Sequence, residues 1–280
     1  MYYLTRQIAF EASHHYRIPE LSDAENYALF GPAANPNGHG HNYVLEVTIK
    51  GEIQFQNGMV INIVELERIL RDGVIARYDH KHINLQHPVF ANNPHLQPTS
   101  ENIAIQIWGS IEPYLKRSSL HNVRLYEDST LFIDCYGEEE MVHLTKVYEF
   151  SAAHRLHSPY LSGEENQEVF GKCNNPHGHG HNYVLEVTVK GEVHPKTGLI
   201  VELDFLDEIL QKQVYARFDH KHLNLDTPEF EELNPTSENF VKVLWDILEP
   251  SLSPIKLYRL RLRETPKNYF DYYGEDKAKP

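Results

Sequence analysis

Cysteine is scarce: two residues among 280 cannot build a disulfide framework, so a reducing cytoplasm is the expected setting. No apolar run approaches the roughly 18 residues of a membrane helix, and no membrane partner is expected. The opening stretch, MYYLTRQIAF, lacks the basic-then-apolar layout of a secretion signal. Positive charge is also short, with 26 Lys and Arg against 40 Asp and Glu, a net charge of −14. Both halves share the deficit: residues 1–140 carry 10 basic and 18 acidic groups, residues 141–280 carry 16 and 22. A broad nucleic-acid footprint needs the opposite balance, so no nucleic-acid partner is expected. A small anionic substrate remains compatible, because a metal and a few cations can hold phosphates inside an acidic protein.

What is present is a duplication. GHGHNYVLEVTIKGE at 38–52 returns as GHGHNYVLEVTVKGE at 178–192 with 14 of 15 residues identical. AFEASHH (9–15) returns as EFSAAHR (149–155), and ARYDHKHINL (76–85) as ARFDHKHLNL (216–225). The offset of 140 falls to 137 at PTSEN (98–102 and 235–239), because the first copy has three extra residues near Asn92–His95. The copies are assigned to 1–138 and 141–275, with a junction near Gly137–Glu140. No Gly/Ser-rich or Pro-rich linker separates them, so the copies are expected to touch or share a sheet.

Each copy reads as strand, strand, helix, helix, strand, strand. His143–Phe150 and Asn182–Val193 are rich in β-branched and aromatic residues. Leu206, Ile209, Leu210 and Val214 recur at helical spacing. A second helix opens at Pro235-Thr236-Ser237-Glu238 and keeps Phe240, Leu244, Ile247 and Leu248 on one face. Segments around Leu257–Arg263 and Tyr269–Tyr273 complete the sheet.

His179 and His181 stand two apart at the start of a strand, a spacing that points both imidazoles to one face. Gly178 and Gly180 leave space for a ligand to approach the backbone. His154 ends the preceding strand, where hairpin-like pairing brings it alongside. Three neutral imidazoles suit zinc and leave a fourth position for water or substrate. The first copy repeats the set as His14, His39 and His41. A closed site with Cys173 as fourth ligand is disfavoured, because Ala33 stands at that place in the first copy while all three histidines remain. Cys173 lies in a polar loop beside Lys172, and a neighbouring metal would favour its thiolate. Phe218-Asp219-His220-Lys221-His222 is a dense ionisable cluster following a helix, either a solvated helix end or, through an Asp beside a His, an oriented proton acceptor for the thiol. Glu264, alternating with arginines in RLRLRET, is either a surface charge or a pocket carboxylate.

The combination FSAAHRL, EEN, FGKCNNPHGHGHNY, GEVHPKTGLI, DHKHLN, NPTSEN and RLRE resembles the 6-pyruvoyltetrahydropterin synthase family, which includes the bacterial 6-carboxytetrahydropterin synthases. The resemblance covers nearly all of each copy. It implies an α+β tunnelling fold (T-fold), with four antiparallel strands and two helices per copy, assembling into β-barrels. It implies zinc on His154, His179 and His181, and a reaction that begins with zinc-bound dihydroneopterin triphosphate and eliminates triphosphate. Cys173 would be the general base and Asp219 and His220 its helpers. Glu264 would grip the pterin's amidine edge through paired hydrogen bonds, and Thr236, Ser237 and Glu238 would line the pocket.

The first copy has Ala33 for the cysteine, Pro32 for the lysine and His15 for the arginine, yet keeps Asp79, His80, Thr99, Ser100, Glu101 and Glu127. It is expected to bind metal, and to offer pterin-lining groups, without the proton-moving thiol. Because the family builds sites between subunits, Asp79 and His80 are also available to a Cys173 of the other copy. Three chains would supply six domains, so a homotrimer is expected, with the two copies in separate rings. Two other readings stay open: a 6-carboxytetrahydropterin synthase of the queuosine route, and a pterin- or metal-binding module without turnover. The six-residue step from Cys173 to His179 resembles the pyruvoyl-type enzymes more closely.

Overall fold

The computed structural model describes residues 1–137 and 141–274. The expected junction therefore lies partly outside the described residues, as does residue 275. The chain packs as two compact units, one of Met1–Thr145 with Lys190–Ile200, the other of Lys146–Val189 with Val201–Pro280.

In the first unit, β1 (Tyr2–His14) and β2 (His39–Gly51) pair antiparallel over their whole length, with His14 opposite His39. β2 continues to β4 (Ser119–Tyr126) and β5 (Leu131–Cys135), while the short β3 (Lys81–His82) adds parallel to β1. The order is thus β5-β4-β2-β1-β3. Period-two patterning explains the core face: Tyr43, Leu45, Val47 and Ile49 of β2 are all fully buried. The second sequence copy repeats the plan with β6 (Met141–His154), β7 (His179–Glu192), β8 (Lys221–His222), β9 (Lys256–Thr265) and β10 (Asn268–Tyr272), in the order β10-β9-β7-β6-β8. Tyr183, Leu185, Val187 and Val189 form its buried stripe. The class is α+β, as the sequence implies.

Two long helical segments cover each sheet. Ile63–Leu70 and Leu203–Leu210 each run on through a π-helical turn, Arg71–Ile75 and Gln211–Tyr215, before one further α-turn. The wider turn lets Leu210, Val214 and Phe218 all reach the core fully buried, while Ile209 stays half-buried. The second helix of each copy spans Ser100–Ile111 or Ser237–Leu252, capped by Thr99 or Thr236 accepting from a backbone N–H three residues on. Phe240, Leu244 and Leu248 are buried as expected, joined by Val241 and Trp245, while Ile247 is only half-buried.

Each copy also has a helix absent from the strand-strand-helix-helix reading. Asp23–Phe30 and Gly163–Phe170 begin with reciprocal capping boxes, Ser22 with Glu25 and Ser162 with Glu165. Each leads into a short 3-10 turn, Gly31–Ala34 or Gly171–Asn174, and the latter carries Cys173.

Candidate active site

The strand pairing converges the histidines as expected. In the second unit the rings of His154, His179 and His181 have centroids 4.6–5.1 Å apart. The Nε2 atoms of His154 and His179 face each other at 3.2 Å. His14, His39 and His41 repeat the cluster, with centroids 4.6–5.2 Å apart. In both triads one nitrogen from each ring lies within 4.8 Å of the others.

Tautomer and burial prepare these nitrogens for a cation. His154 Nδ1 lies 2.8 Å from the Pro235 carbonyl and His14 Nδ1 2.7 Å from that of Pro98, contacts in which Nδ1–H donates and Nε2 keeps its lone pair. Burial holds His154 down to about 4 and His14 to about 3, and it also lowers His179, His39 and His41. These imidazoles are neutral at physiological pH, the form that ligates. His181 Nε2 and His41 Nε2 are buried without a hydrogen-bond partner. A divalent ion fits this donor set: with Zn–N near 2.0–2.1 Å, tetrahedral ligand nitrogens stand about 3.3 Å apart, close to the His154–His179 spacing.

Glu264 lies against the histidine cluster. Its Oε1 lies 3.6 Å from His154 Nε2 and 3.7 Å from His181 Nε2, and the Ser237 hydroxyl donates to it at 3.1 Å. Glu127 repeats the placement, 3.5 Å from His41 Nε2 and bonded to Ser100, and burial raises its carboxyl. The neighbouring arginines serve the sheet: Arg259 and Arg263 pair with Glu186, and Arg261 with Asp271.

Cys173 is half-buried, and its carbonyl accepts from Leu156 N at 2.9 Å, tying the thiol loop to the chain two residues beyond His154. Ala33 accepts equivalently from Tyr16 N. Asp219 and His220 are not joined to Cys173 by any hydrogen bond among the described residues. Asp219 instead accepts from Ser151 N at 2.9 Å and pairs with His220, whose ring is 82% exposed and whose backbone sits at φ 56. The first copy matches this, with Asp79 accepting from Glu11 N and His80 exposed.

Thr236 is half-buried, Ser237 buried and Glu238 exposed, whereas Thr99, Ser100 and Glu101 are all buried. Glu101 accepts from Ile200 N at 3.2 Å, and burial raises its carboxyl to about 7.

Gly178 does not open the backbone to a ligand, whereas a Cβ on Gly180 would make only ordinary contact, 3.4 Å from the Ala152 carbonyl oxygen. A Cβ on Gly178 would lie 2.5 Å from His222 Nε2 and 2.9 Å from the His154 carbonyl, so the chain itself fills that space. Sequence reasoning noted His222 only as part of the ionisable cluster 218–222 and gave neither it nor His82 a role of its own. Each ring abuts the turn that launches the ligand strand, and their recurrence in DHKH was the available signal.

The fold and site define a duplicated α+β protein with, in each copy, a cluster of three histidines that could hold a metal ion. A family model described as 6-pyruvoyl tetrahydropterin synthase matches residues 3–138 and again 143–275. The chain belongs to this family and is an enzyme of its lyase class. The 6-pyruvoyl tetrahydrobiopterin synthase of Poecilia reticulata is 45% identical over 137 residues, 49% of this chain and 93% of that protein. The protein of that name from Homo sapiens is 42% identical over 139 residues, 50% of this chain and 96% of that one. A putative 6-carboxy-5,6,7,8-tetrahydropterin synthase of Archaeoglobus fulgidus is 36% identical over 90 residues, 32% of this chain and 68% of that protein. The solved structure of Caenorhabditis elegans 6-pyruvoyl tetrahydropterin synthase shows 42% identity and a TM-score of 0.47, covering 48% of this chain and 96% of that one. Among the described residues no helix is long and apolar enough to cross a membrane.

Proposed function

We propose that the chain is a zinc-dependent, 6-pyruvoyltetrahydropterin synthase-like lyase that eliminates triphosphate from 7,8-dihydroneopterin triphosphate, with turnover confined to the second copy. The observation that carries this reading is the second copy's combination of a three-histidine cluster, Glu264 within 3.7 Å of it, and a thiol loop anchored beside His154. The relatives at 42–45% identity support the pyruvoyl-type product over the carboxylated one.

His154, His179 and His181 would hold the zinc, which when bound supplies Lewis-acid polarisation of the substrate's side-chain oxygens. Cys173 Sγ, as thiolate, would take protons in turn from the two hydroxyl-bearing side-chain carbons: the first electron pair passes into the ring C=N bond, reducing it as that carbon becomes a carbonyl, and the second expels triphosphate from the neighbouring carbon. Glu264 accepts paired hydrogen bonds from the pterin amidine edge, while Thr236, Ser237 and Glu238 line that end of the pocket. Asp219 and His220 act on a thiol presented from another copy or after assembly, since among the described residues no hydrogen bond joins them to Cys173. His14, His39 and His41 hold a second metal, and Glu127, Thr99, Ser100 and Glu101 make the first copy a binding or structural counterpart without turnover. Three chains forming a cytoplasmic homotrimer would provide the family's six copies.

The test is chromatography of the products formed by zinc-loaded protein from 7,8-dihydroneopterin triphosphate. A 6-pyruvoyl pterin with stoichiometric triphosphate supports the proposal. A carboxylated pterin with acetaldehyde assigns the chain to the other reaction, and absence of triphosphate leaves a binding module.

A further inference from the structure

The π-helical turns of the two copies carry different side chains, and an arginine just beyond them is left in two different states. In the second copy Arg217 is occupied: its guanidinium pairs with Glu229 and donates to Gln213 Oε1 at 3.4 Å. The first copy keeps this arginine as Arg77 and lacks both partners, because Gly73 stands for Gln213 and Val89 for Glu229. Among the described residues Arg77 makes no hydrogen bond or ion pair.

The first copy has a cavity of about 150 Å³ here, lined by Arg68, Ile69, Asp72, Gly73, Arg77 and Tyr114. Gly73 presses its backbone against the neighbouring helix, where a Cβ would lie 3.1 Å from the Ser110 carbonyl oxygen, so no side chain fills the cavity from this turn. Two other walls differ as well. Arg68 stands for Glu208, and Tyr114 for Ser251, whose hydroxyl turns back onto the Ile247 carbonyl at 2.9 Å. Asp72 is engaged by Arg68 at 3.7 Å and by Arg71 at 3.6 Å. The lining therefore sets two guanidiniums against one carboxylate, a local positive excess on a chain of net charge −14. At the equivalent places of the second copy Glu208 and Glu229 balance Lys212 and Arg217.

An occupant of this cavity has to be small, anionic and rich in acceptors around one centre. A carboxylate offers two oxygens in one plane and matches one guanidinium. A phosphate offers oxygens tetrahedrally and can take two guanidiniums and a phenol together. The volume is well below the roughly 300 Å³ at which pockets for larger organic ligands begin. We propose that the cavity is a phosphate-binding site of the first copy, with Arg77 as its principal ligand and Arg68 and the Tyr114 hydroxyl closing over the anion. None of the lining residues belongs to the histidine cluster, so the site is additional to the candidate active site. Its occupant is free phosphate or the phosphate end of a small monoester.

Calorimetric titration of the zinc-loaded full chain with inorganic phosphate, and separately with glycerol 3-phosphate, tests this. One phosphate group per chain is expected to bind through Arg77. Arg77→Gln removes the charged donor. Val89→Glu, at a 37% exposed position, supplies the carboxylate that occupies Arg217 in the other copy and deletes nothing from the cavity wall. Each variant, with circular dichroism matching wild type, is expected to bind about 10- to 100-fold more weakly. Phosphate held by the histidine cluster would be indifferent to both changes. Tighter binding of inorganic phosphate assigns the site to the free anion, and tighter binding of the ester assigns it to a terminal phosphate. Wild type that binds neither probe overturns the proposal. So does undiminished binding in either variant, or displacement of phosphate by an equal concentration of acetate.

Discussion

Glu101→Gln separates a structural role for the first copy's TSEN motif from a ligand-binding one. The Glu101 side chain is 2% exposed, and its carboxyl is raised from 4.5 to about 7, chiefly by burial. In the folded protein it therefore keeps its proton at pH values where the unfolded chain has released it. Stability is undiminished below about pH 4.5 and falls as pH rises through 7, since folding then requires either proton uptake or a buried anion. Above pH 7 the gap from 4.5 to about 7 amounts to about 3 kcal/mol, taken as an order of magnitude. Glutamine removes the titration and retains an oxygen for Ile200 N–H. Urea unfolding at pH 5 and pH 8.5 should show the variant near parity at the lower pH and about 3 kcal/mol more stable at the higher. Parallel profiles at both pH values would refute the reasoning and mean that the carboxyl is not enclosed.

Arg124 and Asp134 form a bidentate pair at 2.8 and 2.9 Å, with Asp134 5% exposed, so Asp134→Ala should destabilise the fold by about 3 kcal/mol in thermal or denaturant unfolding. Gly178→Ala forces a left-handed alanine against His222 and the His154 carbonyl. It should cost about 2 kcal/mol and release one of the two metal ions expected per chain, measured by elemental analysis.

The duplication, the strand pairing and the histidine triads were legible because they rest on period-two alternation and on a long in-register repeat. His14 opposite His39 follows directly from those rules. The capped helices at 23–30 and 163–170 were also written in the chain, as Ser-x-x-Glu at Ser22 and Ser162, but they carry little apolar periodicity and pass as loops. The tight filling around Gly178 was not legible, because a glycine in sequence does not say whether a ligand or a neighbouring ring takes the space. The packing of Lys190–Ile200 with the first unit was equally hidden, since it depends on a contact 99 residues away in sequence, from Glu101 to Ile200. Glu264 was ambiguous for a related reason: alternation in a strand fixes which face it shares, and only tertiary structure shows that the face holds His154 and His181.

The most direct test of the account is turnover of 7,8-dihydroneopterin triphosphate by Cys173→Ala, with zinc content measured on the same sample. The account predicts unchanged metal stoichiometry and triphosphate release reduced by at least about 100-fold, the range a positioned base contributes. Near-wild-type release at full zinc occupancy would contradict it and place the proton-accepting group elsewhere.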